Sequence, residues 1–269
     1  MNGTNRAESL RALSALRSSY PPCARLDAIR VVLSRPSHPG NIGAAARAMK
    51  TMGLSRLSLV APERFPHPDA VARSAGAEDL LDAAEIFPTT LDALGETVFA
   101  FAVTARPRRL GPESVSARDA ALEALAVAER GDVAFFFGNE TSGLSNEDLM
   151  RCQRVVYIPA NPEYSSLNLG AAVQVLCYEL RCAVLGASRS PALGAFSASA
   201  SPAAHISDVE RFYEHLESVM TETGFLDPAQ PRRLLPKLRR LFGRARLERD
   251  EVNILRGILD AVEKRIRHP

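Results

Sequence analysis

AIRVVLSRPSHPGNIGAAARAMKTMGLSRLSLV, residues 28–60, passes from one short apolar run through a polar loop and a small-residue stretch into a second apolar run. Its two ends, AIRVVL (28–33) and RLSLV (56–60), are short, apolar and bounded by turn residues, which predicts two strands. The stretch 41–52 between them predicts a helix, with Asn41 as its N-cap and Gly53 placed to end it. The alternation continues along the chain. TVFAFAV (97–103), VAFFF (133–137) and VVYI (155–158) read as strands. Helices are expected at 68–83, 116–130, 145–151 and 167–185. Strands alternating with helices predict an α/β fold, a parallel sheet with helices on both faces. Ligands of such sheets bind beyond the carboxyl ends of the strands. The loops after residues 33, 103, 137 and 158 are therefore where a site is expected.

Outside that core the composition changes. The chain has 269 residues, 46% hydrophobic and 24% charged, an ordinary globular composition. No unbroken apolar run of membrane-spanning length occurs, so no transmembrane helix and no membrane partner are expected. The four cysteines form no C-x-x-C pair and no Cys/His cluster has ligand spacing, so neither a disulfide framework nor a metal site is expected. A reducing, cytoplasmic home follows. Residues 1–27 carry Arg6, Arg11, Arg17 and Arg25 against Glu8 and Asp27 and end near Pro21-Pro22. They read as a flexible N-terminal extension with a faint likeness to a transit peptide. Residues 28–185 form the α/β domain. Residues 186–205, rich in Ala, Ser, Gly and Pro, read as a linker. Residues 206–269 return to helical periodicity.

The net charge of +2 hides a polarity in that last region. Residues 206–231 hold six acids and one base; residues 232–249 hold eight bases and one acid. Arg239, Arg240, Arg244 and Arg246 lie in the basic run, a candidate phosphate track for RNA.

Three loops stand out chemically. In the first, Gly43 permits close approach and the alanines keep the helix thin, which makes room around Arg47 for a phosphate or nucleotide. It has neither the G-x-G-x-x-G dinucleotide spacing nor a P-loop, which disfavours a dehydrogenase or an NTPase. In the second, FGNETSGLSNED (137–148), Gly138 and Gly143 bracket a polar turn with Glu140. Backbone groups there are suited to a small ligand. Ser145 and Asp148 match capping-box spacing only loosely, since the motif takes Glu or Gln. In the third, Ser165, Ser166 and Asn168 crowd the start of a long apolar helix, more polar groups than a cap requires.

Together these loops resemble the motifs of the SpoU branch of the SPOUT RNA methyltransferases: NIGAAAR (41–47), FGNETSGL (137–144) and IPANPEYSSLNL (158–169), in matching order and spacing. RAMKTMGL (47–54), RFYEHLE (211–217), KLRRLFGRAR (237–246) and NILRGIL (253–259) extend the likeness to the bacterial TrmJ type, tRNA 2′-O-methyltransferases of the anticodon loop. It covers about residues 28–265. Asn139 departs from it where Arg is common, and Gly170 where Ala is expected.

The resemblance implies a trefoil knot at the C-terminal end of the sheet domain and a homodimer whose RNA site crosses the interface. It implies S-adenosylmethionine as cofactor, held by Thr104, Ala105, Gly138, Asn139, Glu140, Ile158 and Leu167. It implies tRNA as substrate, with a cytidine or uridine at position 32 as target. Arg47, Asn41, Glu140, Ser166 and Asn168 would form the catalytic pocket, with Arg47 also on the RNA. A guanidinium stays protonated, so Arg47 is expected to anchor phosphate and hydroxyl rather than act as base. His38 is the nearest conventional base in sequence and is expected to be a loop residue. Ribosomal RNA as substrate, a knotted RNA-binding protein without catalysis, and a nucleotide-dependent oxidoreductase are the competing readings.

Overall fold

The computed structural model describes residues 24–105, 111–187 and 201–267. Seven parallel strands form one sheet: β1 (Ile29–Ser34), β2 (Arg56–Val60), β3 (Glu85–Phe87), β4 (Phe99–Val103), β5 (Glu113–Ser116), β6 (Val133–Phe137) and β7 (Arg154–Tyr157). Their order is β3-β2-β1-β6-β4-β7-β5. The central strands are covered on both faces, which is why IRVVLS and VAFFF are buried at every position. β3 and β5 are the two edges. Their short, mostly exposed sequences, EIF and ESVS, carry no apolar run and so gave no strand signal.

One face of the sheet packs on α1 (Pro39–Met52), α2 (Pro68–Ser74), α3 (Glu78–Asp82), α5 (Ala117–Val127) and α7 (Leu169–Ala187). The expected 68–83 helix is broken into α2 and α3 because Ala75 and Gly76 turn left-handed, with φ of 44° and 93°. On the other face Val32, Ala102 and Phe136 pack with α4 (Thr90–Leu94), with Leu149 of α6 (Asn146–Met150) and with the start of α8 (Ile206–Glu222). Segment 169–186 is long and apolar enough to cross a membrane, although charged residues interrupt it. Val173, Leu176, Cys177 and Leu180 are buried in the sheet core, so here it serves as a core helix.

The thin α1 has a packing cause. A Cβ on Gly43 would lie 2.0 Å from the Ala70 carbonyl oxygen, and one on Gly170 would lie 2.7 Å from the Ala44 Cβ. Approaches that close, one to the α2 backbone and one to the Ala44 methyl, fix how α1 sits on α2 and α7. Glycine at 170, where alanine is the family expectation, removes a methyl for which there is no room. Gly43→Ala is expected to destabilise the protein by about 1–3 kcal/mol through overpacking, measured by denaturant unfolding.

The last region is helical: α8, α9 (Leu234–Ala245) and α10 (Arg249–Arg267). They share a core of Phe212, Tyr213, Val219, Val252 and Leu259, with Phe242 edge-on to Phe212 at 5.0 Å. This region is tied to the sheet. Ile206 is buried in the second sheet core, and its N–H donates to the Thr97 carbonyl at 2.9 Å. The expected boundaries shift accordingly. Leu26, placed in the N-terminal extension, is fully buried in the sheet core. Helix α7 runs to Ala187, and Ser201 and Ala204, placed in the linker, are buried. The rest of the extension (1–23) and linker residues 188–200 lie outside the described residues.

Candidate active site

The carboxyl ends of β4, β6 and β7, together with the start of α1, surround a cavity of about 420 Å³. Its wall contains Asn41 from α1 and Thr104 and Ala105 after β4. Residues 138–144 after β6 and Ile158 with 164–169 after β7 complete it. Of the site residues expected from sequence, the cavity gathers Asn41, Thr104, Ala105, Gly138, Asn139, Glu140, Ile158, Ser166, Leu167 and Asn168. Arg47 is outside the wall, exposed on α1.

Glu140 organises the floor. One carboxylate oxygen accepts from the Ser37 N–H at 3.0 Å and the Ser37 hydroxyl at 2.9 Å. The other accepts from the His38 N–H at 3.2 Å and Asn41 Nδ2 at 2.9 Å. A carboxylate has about four lone-pair positions, and all four are used. Partial burial pushes this carboxyl up, but the bonds from Asn41 and Ser37 outweigh it and hold Glu140 below the ordinary glutamate value. The side chain lies at the positive end of α1, where an anion is favoured.

That arrangement changes two expected roles. Asn41 is not the N-cap of α1. The cap is His38, whose Nδ1 accepts from the Gly40 N–H at 3.1 Å, and Pro39 opens the helix. Asn41, a turn further in, is thereby free to donate its amide to Glu140. His38 is a structural cap and does not line the cavity.

The β6 loop is closed by its own backbone. Asn139 Oδ1 accepts from the Thr141 and Ser142 N–H groups, its Nδ2 donates to the Arg35 carbonyl at 2.7 Å, and the Gly143 N–H donates to the Asn139 carbonyl at 2.8 Å. A Cβ on Gly138 would lie 2.2 Å from the Gly143 carbonyl carbon. Glycine at 138 is therefore required by the loop's own closure, whatever ligand approaches. Gly138→Ala is expected to lower both stability and ligand affinity, since the clash is with backbone that cannot rotate away; thermal melts with and without ligand check this.

Asp148, a loose match to a capping box, serves a different network. Ser145 Oγ caps α6 by accepting from the Asp148 N–H at 3.0 Å. The buried Asp148 carboxylate accepts from Arg35 at 2.8 Å and Thr90 Oγ1 at 2.7 Å, so the shorter side chain ties α6 to the end of β1 and the start of α4. Asn168 caps α7 through a 2.7 Å bond from the Ala171 N–H to its Oδ1, leaving its amide nitrogen for the cavity. Sequence reasoning missed Ser37 and Arg35, which hold the β6 loop, and Tyr164, 83% exposed at the cavity rim. Only the polar composition of SRPSHPG hinted at the first two.

Arg239 and Arg246 are committed within the protein. Arg239 makes a two-pronged pair with Glu210 and lies 4.3 Å over the Tyr213 ring. Arg246 pairs with Glu123 on α5 and lies 5.4 Å from the Phe99 ring. Arg240 and Arg244 are exposed.

Comparison with known proteins agrees with this geometry. The SpoU rRNA Methylase family model matches residues 28–178, and the model of the tRNA methyltransferase TrmJ C-terminal domain matches residues 207–269. The chain is 49% identical over 244 residues to a tRNA (cytidine/uridine/adenosine-2′-O-)-methyltransferase TrmJ of Pseudomonas aeruginosa, covering 89% of this chain and 95% of that one. It is 46% identical to a tRNA (cytidine/uridine-2′-O-)-methyltransferase TrmJ of Yersinia pestis, over 90% and 93%. The crystal structure of TrmJ from Z. mobilis superposes with a TM-score of 0.74 at 31% identity, covering 87% of this chain and 98% of that one. A probable methylase family protein from Haemophilus influenzae gives 0.60 at 40% identity, over 90% and 98%. With the three loop motifs meeting at one cavity and both family models in register with the two structural regions, the chain belongs to the SpoU methylase family and carries a TrmJ-type C-terminal domain.

Proposed function

We propose that this chain transfers the methyl group of S-adenosylmethionine to a ribose 2′-hydroxyl in the tRNA anticodon loop, at a cytidine or uridine in position 32. The observation that carries the reading is the cavity at the strand ends, in which the three family motifs meet around an ionised Glu140. Its volume lies in the range of small-molecule sites. Ala105, Ile158 and Leu167 offer only backbone polar groups, suited to a nucleoside edge, and the carboxylate in the wall suits a cationic ligand. The cofactor supplies a methyl group already activated by the sulfonium charge.

The residues then divide the work. Glu140, with its acceptor positions filled, holds Asn41 and the α1 start in place and is a positioning residue. Asn41, Ser166 and the amide nitrogen of Asn168 contact the ligand or the ribose. Arg47 binds the RNA phosphate and stabilises the developing alkoxide while remaining protonated. Its place outside the cavity wall fits a homodimer in which a second copy completes the RNA site. Arg240 and Arg244, with Arg232, Arg233 and Lys237, are the phosphate track. The trefoil knot belongs with this reading, as does a cytoplasmic location alongside the tRNA pool.

Mass-spectrometric mapping of 2′-O-methylated nucleotides in tRNA and ribosomal RNA, with and without the protein, tests the proposal. Methylation gained only in ribosomal RNA would overturn it. Arg47→Lys keeps the charge and loses the planar fork. It is expected to lower methyl transfer at least about tenfold, about 1.4 kcal/mol in the transition state. Cofactor affinity by calorimetry should be unchanged.

A further inference from the structure

Helix α10 buries Val252 and Leu259 against α8 and turns a second apolar face outward. Ile254 is 64% exposed, Ile258 56% and Val262 36%, at four-residue spacing. Gly257 lies beside them at mid-helix, with no described residue within 4 Å of the position its Cβ would take. Among the described residues no turn or contact requires glycine there, and glycine weakens a helix interior. On the side of the helix that carries Ile254, Ile258 and Val262, Glu251 lies in the first turn and Arg265 in the last, while the rest of the helix mixes signs, with Arg249, Arg256, Asp260 and Glu263.

We propose that α10 pairs antiparallel with α10 of a second copy through this face. A two-fold axis at Ile258 makes the face complementary to itself. Ile254 then lies opposite Val262 of the partner subunit, and Glu251 lies opposite Arg265 of the partner subunit. A parallel pair would set Glu251 against Glu251 and Arg265 against Arg265. Gly257 and Ala261 flank the crossing and let the helices approach at the close end of the usual range. An isologous contact needs this kind of self-complementarity, each residue meeting its symmetry mate or a fixed opposite. The middle of the face is aliphatic and holds no cation, so its chemistry suits a protein helix rather than an RNA phosphate.

The test uses the full-length protein with Cys23 and Cys182 changed to Ser and Ile258→Cys introduced. Two such cysteines on the two-fold axis come within disulfide reach. Mild oxidation is expected to give a covalent dimer whose linked peptide joins residue 258 of one copy to residue 258 of the other. Adding Glu251→Arg or Arg265→Glu alone should lower the yield at least about fivefold at low salt, because like charges then face each other. Both reversals together should restore it to within about twofold of the parent, because the pair is re-formed with its signs exchanged. The Arg265→Glu arm leaves the helix start intact, whereas Glu251→Arg also removes a bond from the Glu248 N–H to the Glu251 carboxylate. Two results would overturn the proposal. These are no 258–258 linkage although the thiol reacts with a monofunctional maleimide, or a combined variant as poor as the single ones.

Discussion

Glu140→Ala is expected to reduce methyl transfer about a hundredfold, about 2.7 kcal/mol in the transition state. Glu140 is assigned no contact with the reacting atoms, so the loss comes through geometry. Its carboxylate is the common acceptor for two N–H groups, a hydroxyl and the Asn41 amide. Removing it frees the β6 loop from the start of α1 and leaves the Ser37 and His38 amides without their acceptor. A hydrogen bond to a charged group contributes about 1.5–3 kcal/mol, so the fold weakens as well. Glu140→Gln separates the two effects. It keeps the shape but turns half of the acceptor into a donor facing N–H groups, and is expected to hold the fold better than alanine while still impairing cofactor binding. The pH dependence has a definite sign. The folded-state pKa of Glu140 lies below its unfolded value. Its stabilising contribution is therefore complete above the ordinary glutamate pKa and is lost as pH falls through the depressed one. Wild-type thermal stability should drop across that acidic window, and the Glu140→Gln profile should be flatter there.

The sheet was legible where it is most buried. β1, β4 and β6 are buried at nearly every position and mostly apolar because helices cover both of their faces, and such strands announce themselves as apolar runs. β3 and β5, exposed at the edges, have no reason to be apolar and were silent. Strand order is invisible to periodicity altogether. That β6 lies between β1 and β4 follows from tertiary packing. The cavity residues were legible because glycine, asparagine and serine at strand ends are chemically conspicuous. Their division of labour was not. Asn41 looked like a cap because asparagine caps helices, and His38 took that role because Pro39 had already begun the helix. The basic run misled for a related reason. Charge counts report what residues could attract, whereas a guanidinium stacked on tyrosine beside a buried glutamate is already taken.

That distinction yields the second large effect. Glu210→Ala is expected to destabilise the C-terminal helices by about 3 kcal/mol, because removing one partner of a buried ion pair leaves the other charge uncompensated. For a unit of this size that is a melting shift of about 10 °C or more. Glu210 is buried on α8, and the two oxygens of its carboxylate take the two terminal nitrogens of Arg239. Desolvation pulls the Arg239 guanidinium down, yet the Glu210 carboxylate outweighs it and raises it. Arg239→Ala should therefore behave like Glu210→Ala, as a folding variant: tRNA affinity falls together with the melting temperature. Arg240→Ala with Arg244→Ala should do the opposite. Both side chains are exposed, so stability should stay within about 0.5 kcal/mol of wild type. Affinity for tRNA should fall across tRNA species alike, and the salt dependence should flatten by about 0.7–0.9 log units for each phosphate contact removed. Titrations of labelled tRNA at several salt concentrations, run beside thermal melts of each variant, distinguish the two classes. If Arg239→Ala kept the wild-type melting temperature while flattening the salt slope, the Glu210 pair would be dispensable and Arg239 would return to the phosphate track. If the Arg240/Arg244 variant kept the wild-type slope, that face of α9 would be merely solvated, and the RNA would cross the protein elsewhere.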